Sequence, residues 1–261
     1  MMRALYTSAS GMEAQTYNID TISNNLANVG TTGFRKNMAR FQDLIYQQLS
    51  APGTPVGAAV VPVGQQVGLG VAVGSSEKIF TQGTLQQTDN PLDVAIQGDG
   101  FFQVALPDGT TAYTRDGSFK LDATGQIVTA NGYFVTPNIT VPTNATAVQV
   151  GSDGTVSATI PGQSTPQTLG QIQLVRFVNP AGLTPYGQNL LQQTGASGAP
   201  TVSTPGLNGA GTLQGGYTEA SNVSVVQEIV NMITAQRAYE ASSKGVTTAN
   251  EMLQTAVNMK Q

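Results

Sequence analysis

Residues 222–257 read NVSVVQEIVNMITAQRAYEASSKGVTTANEMLQTAV, and their spacing decides the architecture. Steps of three and four put Val225, Ile229, Met232, Tyr239, Val246, Leu253 and Val257 on one seam. Asn222, Gln236, Ser243 and Asn250 fill its polar positions. This is a heptad register sustained over several turns. No proline interrupts it, and only Gly245 weakens the helix interior. Ser224 with Gln227 reads as a capping box, and Glu240 with Lys244 as an outward i,i+4 pair. At 1.5 Å per residue such a helix runs roughly 50 Å. A lone amphipathic helix is marginal in water, so its seam needs a partner.

The opposite end repeats the pattern. Leu5, Met12, Ile19, Ile22, Leu26 and Val29 step three-four along residues 3–29, with Ser8 and Gln15 between them. Gly30 is the expected left-handed stop. The ends meet each other, as in a two-helix hairpin capping a β domain, or their seams pack against copies in neighbouring subunits, or both.

Composition narrows the chemistry. Charged residues are 10% of the 261, well below the roughly 25% of an ordinary soluble domain. A polar surface with so little self-repulsion suits lateral packing of identical chains. The net charge of -4 leaves no basic stripe for phosphates, so nucleic acid is not an expected partner. Cysteine and histidine are absent, which removes disulfides, thiolate nucleophiles, the usual zinc sites and any histidine-based triad. No apolar signal-peptide core follows Arg3, so an exported chain is expected to use another route.

Between the seams the pattern changes. Arg35, Lys36 and Arg40 form a basic cluster, either a solvated loop or an interface. Phe41, Leu44, Ile45 and Leu49 fit a short helix or a strand. Pro52, Pro55 and Pro62, with Val56, Val60, Val61, Val63 and Val67, indicate an extended ribbon that must lie on something else. From residue 76 to about 213, short alternating runs are punctuated by Asp108-Gly109, Asp116-Gly117, Asn131-Gly132 and Asp153-Gly154. These pairs suit hairpin turns with positive φ at both central residues. Residues 182–216 read as a long return loop. The expected fold is therefore α+β, with terminal helices in a coiled-coil layer, a central mostly antiparallel β domain and an extended ribbon. The expected divisions are 1–40, 41–75, 76–216 and 217–261.

No enzyme is called for. The Asp-Gly carboxylates are dispersed and do not form a calcium loop. Gly68, Gly70 and Gly74 precede no helix pattern, so a phosphate loop is not indicated. There is no Gly-x-Ser-x-Gly elbow. No catalytic residue, cofactor or metal is expected. A secreted β-domain adhesin or glycan-binding enzyme on a helical stalk is the alternative from another class.

Longer motifs give a resemblance. Ser10-Gly11-Met12, Ser23-Asn24-Asn25-Leu26-Ala27-Asn28-Val29 and Thr32-Gly33-Phe34-Arg35 resemble the N-terminal signature of the bacterial flagellar rod and hook family. Ser221-Asn222-Val223, Met232-Ile233 and Gln236-Arg237-Ala238-Tyr239-Glu240 resemble its C-terminal signature. Thr88-Asp89-Asn90-Pro91-Leu92-Asp93, Gly98-Asp99-Gly100-Phe101-Phe102 and Tyr113-Thr114-Arg115-Asp116-Gly117 match its middle. Total length and the stretch from Gly170-Gln171-Ile172 through Asn179-Pro180-Ala181-Gly182-Leu183 are most similar to its distal-rod branch. Thr218 stands where the family usually has an aliphatic residue.

The resemblance implies a homopolymer, a rigid hollow rod spanning the periplasm that carries torque and passes exported proteins. Its implied neighbours are the proximal rod proteins, the hook protein, the P-ring and L-ring bushing proteins and the type III export apparatus. A hook or proximal rod subunit is the alternative within the family.

Overall fold

The computed structural model describes residues 2–53, 55–56, 59–60, 63–163 and 165–259. The chain divides into two units. A helical unit comprises Met1–Ala27, Asn37–Glu77 and Ser224–Gln261. A β unit comprises Asn28–Lys36 and Lys78–Val223. The α+β architecture is the one expected.

In the helical unit, α1 (Met2–Ala27) packs on α2 (Val225–Asn258). The contact is made by small residues. A Cβ added at Gly11 would lie 3.3 Å from Ser242 Oγ, and one at Gly245 would lie 3.0 Å from Ser8 Oγ. Numbering rises along one helix as it falls along the other, so the pair is antiparallel. Glu228, Ala235 and Ala249 are buried on α2, and Ser242 continues their seven-residue spacing. Gly245, which looked only like a weak point, is a place of close helix approach.

Several local expectations change. The helix ends at Ala27, and Gly30 is not left-handed. The chain turns through Thr31 N–H to Asn28 O at 3.2 Å, and the positive φ of +69° falls on Gly33. Asn222 precedes α2 rather than opening its seam. Ser224 is the N-cap by position, but its side chain makes no cap hydrogen bond. Glu240 pairs with Arg237 at 3.0 Å, one turn back, instead of with Lys244.

The ribbon is a nested hairpin. Asn37–Asp43 pairs with Val71–Lys78, Tyr46–Ser50 with Gln65–Gly68, and Pro55–Val56 with Ala59–Val60. Val61 and Pro62 lie outside the described residues. Lacking a core, the ribbon runs back along α1. Asn25 holds the Asn37 backbone by two 2.8 Å hydrogen bonds. Ser10 Oγ accepts from Val71 N–H at 3.3 Å, and Arg3 Nη1 donates to Gln47 Oε1 at 3.0 Å.

The β unit is organised by the strand Phe101–Ala105. It pairs antiparallel with Thr111–Thr114, Phe134–Thr136 and Leu174–Arg176. Alternate side chains leave opposite faces of a strand. Phe102 and Val104 therefore enter one apolar cluster with Ile96, Phe119 and Leu174, while Phe101 enters another with Tyr113, Val175 and Phe177. A three-stranded sheet of Ala147–Val150, Thr155–Thr159 and Gln167–Gln171 places Val156 against the first cluster.

The turns differ from expectation. At the Asp108-Gly109, Asn131-Gly132 and Asp153-Gly154 pairs only the glycine has positive φ. The aspartate instead accepts hydrogen bonds from residue i+2: Asp108 from Thr110, Asp116 from Ser118, Asp153 from Thr155. These are Asx turns, in which the side chain replaces a backbone acceptor. Positive φ at both positions occurs instead at Gln188-Asn189, 54° and 61°, which joins Thr184–Gly187 to Leu190–Gln192, and at Asn208-Gly209, 52° and 74°. Residues 182–216 are accordingly not one return loop. They also contain Thr201–Ser203 and Thr212–Gly215. Three- and four-residue strands show too little alternation to be read from sequence.

Candidate assembly site

On α2 the small residues Ala235 and Ala249 are buried, whereas a stripe of large apolar residues faces outward. Val226 is 74% exposed, Val230 51% and Ile233 53%, a stripe at i, i+4 and i+7 on α2. Of the expected seam, Ile22 is buried, and Leu5, Met12, Ile19, Leu26, Met232, Val246 and Leu253 are half-buried. Val225, Ile229, Tyr239 and Val257 are exposed. Val29 is half-buried and belongs to the β unit. The residues that make the helix contact, Ala235, Ser242 and Ala249, were not selected from sequence. Their signal is the strict seven-residue spacing of small side chains from Ala235 through Ser242 to Ala249. The ribbon adds exposed Ile45, Tyr46, Leu49 and Val63.

The β unit holds the second feature, a buried ion cluster. Arg35 Nη2 donates to Glu219 Oε1 at 2.7 Å, and Gly83 N–H donates to the same oxygen at 2.9 Å. Arg115 Nε lies 3.6 Å from Glu219 Oε2, and its Nη2 donates to Gly98 O at 2.7 Å. The Arg115 guanidinium also sits 5.8 Å from the Phe101 ring centroid, a cation–π arrangement. Side-chain exposure is 2% for Arg35, 5% for Arg115 and 0% for Glu219.

Burial pulls the Arg115 pKa down to about 10; Glu219 opposes the shift, Arg35 adds to it and Asp99 opposes it. The arginine thus remains charged at neutral pH. Two cations against one central anion make Glu219 indispensable to the site.

The basic cluster expected at 35–40 is therefore not a surface patch. Arg35 is interior, and Arg40 pairs with Glu77 at 3.0 Å. Lys78 stacks 5.3 Å from the Phe34 ring centroid and donates to Arg35 O at 3.4 Å; burial lowers its pKa. Gly33 N–H donates to Glu219 O at 2.8 Å. A Cβ there would come within 2.7 Å of Asp116 N, so backbone proximity and positive φ both require glycine. Asn222 ties the neighbouring segments of the β unit together: its Oδ1 accepts from Lys36 N–H at 2.8 Å, and its Nδ2 donates to Ile79 O at 2.8 Å.

Three family models match the segments that build these features. "Flagella basal body rod protein" covers residues 5–35, "Flagellar hook protein FlgE/F/G D1 domain" 95–158, and "Flagellar basal body rod FlgEFG protein C-terminal" 214–259. The chain is 52% identical to the flagellar basal-body rod protein FlgG of Buchnera aphidicola subsp. Schizaphis graminum, over 97% of this chain and 98% of that one. It is 50% identical to FlgG of Borreliella burgdorferi and 41% identical to FlgG of Bacillus subtilis, each over the full length of both chains.

The chain belongs to the FlgG family of flagellar basal-body rod proteins.

As a rod protein of the FlgG family it is a structural component of the flagellar basal body. The FlgG match has a geometric counterpart. Thr32-Gly33-Phe34-Arg35, Tyr113-Thr114-Arg115-Asp116-Gly117 and the segment ending at Glu219 converge on one ion cluster. A groove between residues 109–111 and 192–199 is lined by Gly, Thr, Gln and Ala and holds no titratable side chain. Among the described residues no group of His, Cys, Asp and Glu is placed to hold a metal. No described helix is long and apolar enough to cross a membrane.

Proposed function

We propose that this chain is a distal-rod subunit that polymerises through its terminal helices into a rigid, hollow helical shaft. The shaft transmits motor torque to the hook and passes exported proteins through its channel. The carrying observation is the outward stripe Val226, Val230 and Ile233 beside an inward alanine seam. Covering apolar surface contributes about 25 cal/mol per Å² removed from water. In the helical unit that contribution is largely unrealised until another surface covers the stripe. A patch that meets a different patch on the next copy builds an open helical filament where the rotation between copies does not close into a ring.

The remaining assignments rest on this reading. The seam residues Leu5, Met12, Ile19, Ile22, Leu26, Val29, Val225, Ile229, Met232, Tyr239, Val246, Leu253 and Val257 contribute to subunit contacts. The ribbon bridges neighbours and stiffens the polymer. The proximal rod, hook, ring and export proteins are its neighbours, and the chain does no catalysis. The hook alternative is supported by 46% identity to the hook protein FlgE of Helicobacter mustelae, but only over 52% of this chain and 30% of that one. Full-length similarity to rod proteins favours the rod.

The test is assembly of a variant with Val226, Val230 and Ile233 changed to serine. Its monomer should keep the wild-type circular dichroism and fail to form sedimenting polymer. Polymer of normal yield and shape would refute the proposed face.

A further inference from the structure

The chain contains two Asn-Gly pairs, Asn131-Gly132 and Asn208-Gly209. Both lie exposed in the β unit, and both glycines have positive φ, +83° and +74°. Asn-Gly is the dipeptide in which a backbone amide most easily attacks the preceding side chain, because glycine brings no Cβ to obstruct it. The two sites differ in what holds that amide. Gly132 N–H donates to Thr129 O at 2.9 Å, so the nucleophile is engaged in a turn. Gly209 N–H has no such backbone acceptor among the described residues. On the carbonyl side of the same peptide, Arg176 Nη1 donates to Asn208 O at 2.6 Å. The guanidinium lies so close that a Cβ at Gly209 would come 2.9 Å from Nη1.

We infer that Asn208-Gly209 is a self-modification site, at which Arg176 promotes succinimide formation and deamidation. The steps balance without an added oxidant or reductant. Gly209 N loses its proton to hydroxide or buffer base, and the negative charge of the peptide anion is shared with Asn208 O. A cation already hydrogen-bonded to that oxygen stabilises the charge as it develops, which is how an oxyanion hole acts. The nitrogen then bonds to Asn208 Cγ. The Cγ–N bond of the side-chain amide breaks, and the amide leaves as ammonia after taking up a proton. Water opens the resulting ring at Cγ to give aspartate, or at the backbone carbonyl to give isoaspartate. Either product replaces a neutral side chain by a carboxylate, taking the net charge one unit below -4. The isoaspartate product also inserts a methylene into the backbone of the loop between Thr201–Ser203 and Thr212–Gly215.

The experiment ages the purified full-length chain in mildly alkaline buffer and follows both sites by peptide mass spectrometry. Native Asn208 should convert about tenfold faster than Asn131, equivalent to roughly 1.4 kcal/mol of barrier. Arg176→Met should remove most of that advantage without changing Asn131, and Arg176→Lys should restore part of it. In concentrated urea the two rates of the wild-type chain should converge, a comparison that does not depend on any variant folding. Equal native rates, a faster Asn131, an Arg176→Met rate equal to wild type, or a ratio that persists in urea would each overturn the assignment.

Discussion

In the β unit Phe102, Val104 and Leu174 are completely buried, whereas in the helical unit Val226, Val230 and Ile233 are half or more exposed. Both sets are large and apolar, and both follow a local period: Phe102 and Val104 alternate along one strand, while Val226, Val230 and Ile233 keep the helical spacing. The β unit satisfies its strands internally because Phe101–Ala105 has paired neighbours on both edges and covered faces on both sides. The helical unit has two helices and a ribbon that can cover only part of their circumference. The contact of small residues brings the helices close and leaves Val226, Val230 and Ile233 facing outward. Periodicity therefore identifies a face that must be covered, and the number of available elements decides whether the same chain can cover it.

That contrast can be attacked from both sides. The largest effect belongs to Glu219→Ala, which leaves two buried arginines without their central carboxylate. Breaking a buried ion pair from one side costs about 3–5 kcal/mol. Urea denaturation should show that loss in the β unit, and Glu219→Gln should recover part of it by keeping an acceptor for Arg35. An unchanged midpoint for Glu219→Ala would mean that the cluster contributes nothing to the closed unit.

Ala235→Leu comes next. It forces bulk into the α1–α2 contact, where overpacking costs about 1–3 kcal/mol. Helical circular dichroism should melt earlier while the β unit keeps its own transition. A helix pair that melts normally would show that the close contact is not what holds it.

Ile233→Ser should change monomer stability by only about 0.5 kcal/mol or less, as for an ordinary surface position. Its effect should instead appear as a raised critical concentration for polymer in sedimentation. A stability loss comparable to that of Ala235→Leu would place Ile233 in the monomer's own contact and erase the contrast between the two faces.

The smallest effect is acidic. Side-chain hydrogen bonds from Thr110 and Thr155 lead in holding Asp108 and Asp153 below the usual carboxylate range, and backbone hydrogen bonding from Gln126 leads for Asp122. Each folded-state pKa is depressed, so the stabilisation is complete above the unfolded value and is lost as pH falls through the folded one. All three groups are exposed, and the loss at acid pH should be slight. The Asp108, Asp122 and Asp153 to alanine triple variant should show a flatter stability profile below the usual carboxylate range. An identical acid profile would remove these turns from the account.

The motifs teach a related lesson. The motifs that resemble the rod and hook family overlap the seams read from periodicity, yet several polar residues in and beside them serve the β unit. Gly33, Arg35, Arg115, Glu219 and Asn222 are dispersed along the chain and converge through hydrogen bonds of 2.7–2.8 Å and the longer Arg115–Glu219 contact. Nothing in the spacing of Arg35 and Glu219, far apart in sequence, shows that they pair. The Asp-Gly turns were located correctly by composition, but their geometry was not, because aspartate can use its side chain in place of a left-handed backbone.

The sequence by itself determined the two terminal helices, the β character between them, the ribbon and the flagellar family resemblance. These depend on local periodicity and on long contiguous motifs, which survive without coordinates. Tertiary structure decided which helix face turns inward, which strands flank Phe101–Ala105, and that Arg35 belongs to an interior ion cluster. Each of those outcomes is a competition between distant groups for the same limited space, and only the folded chain states which group occupies it.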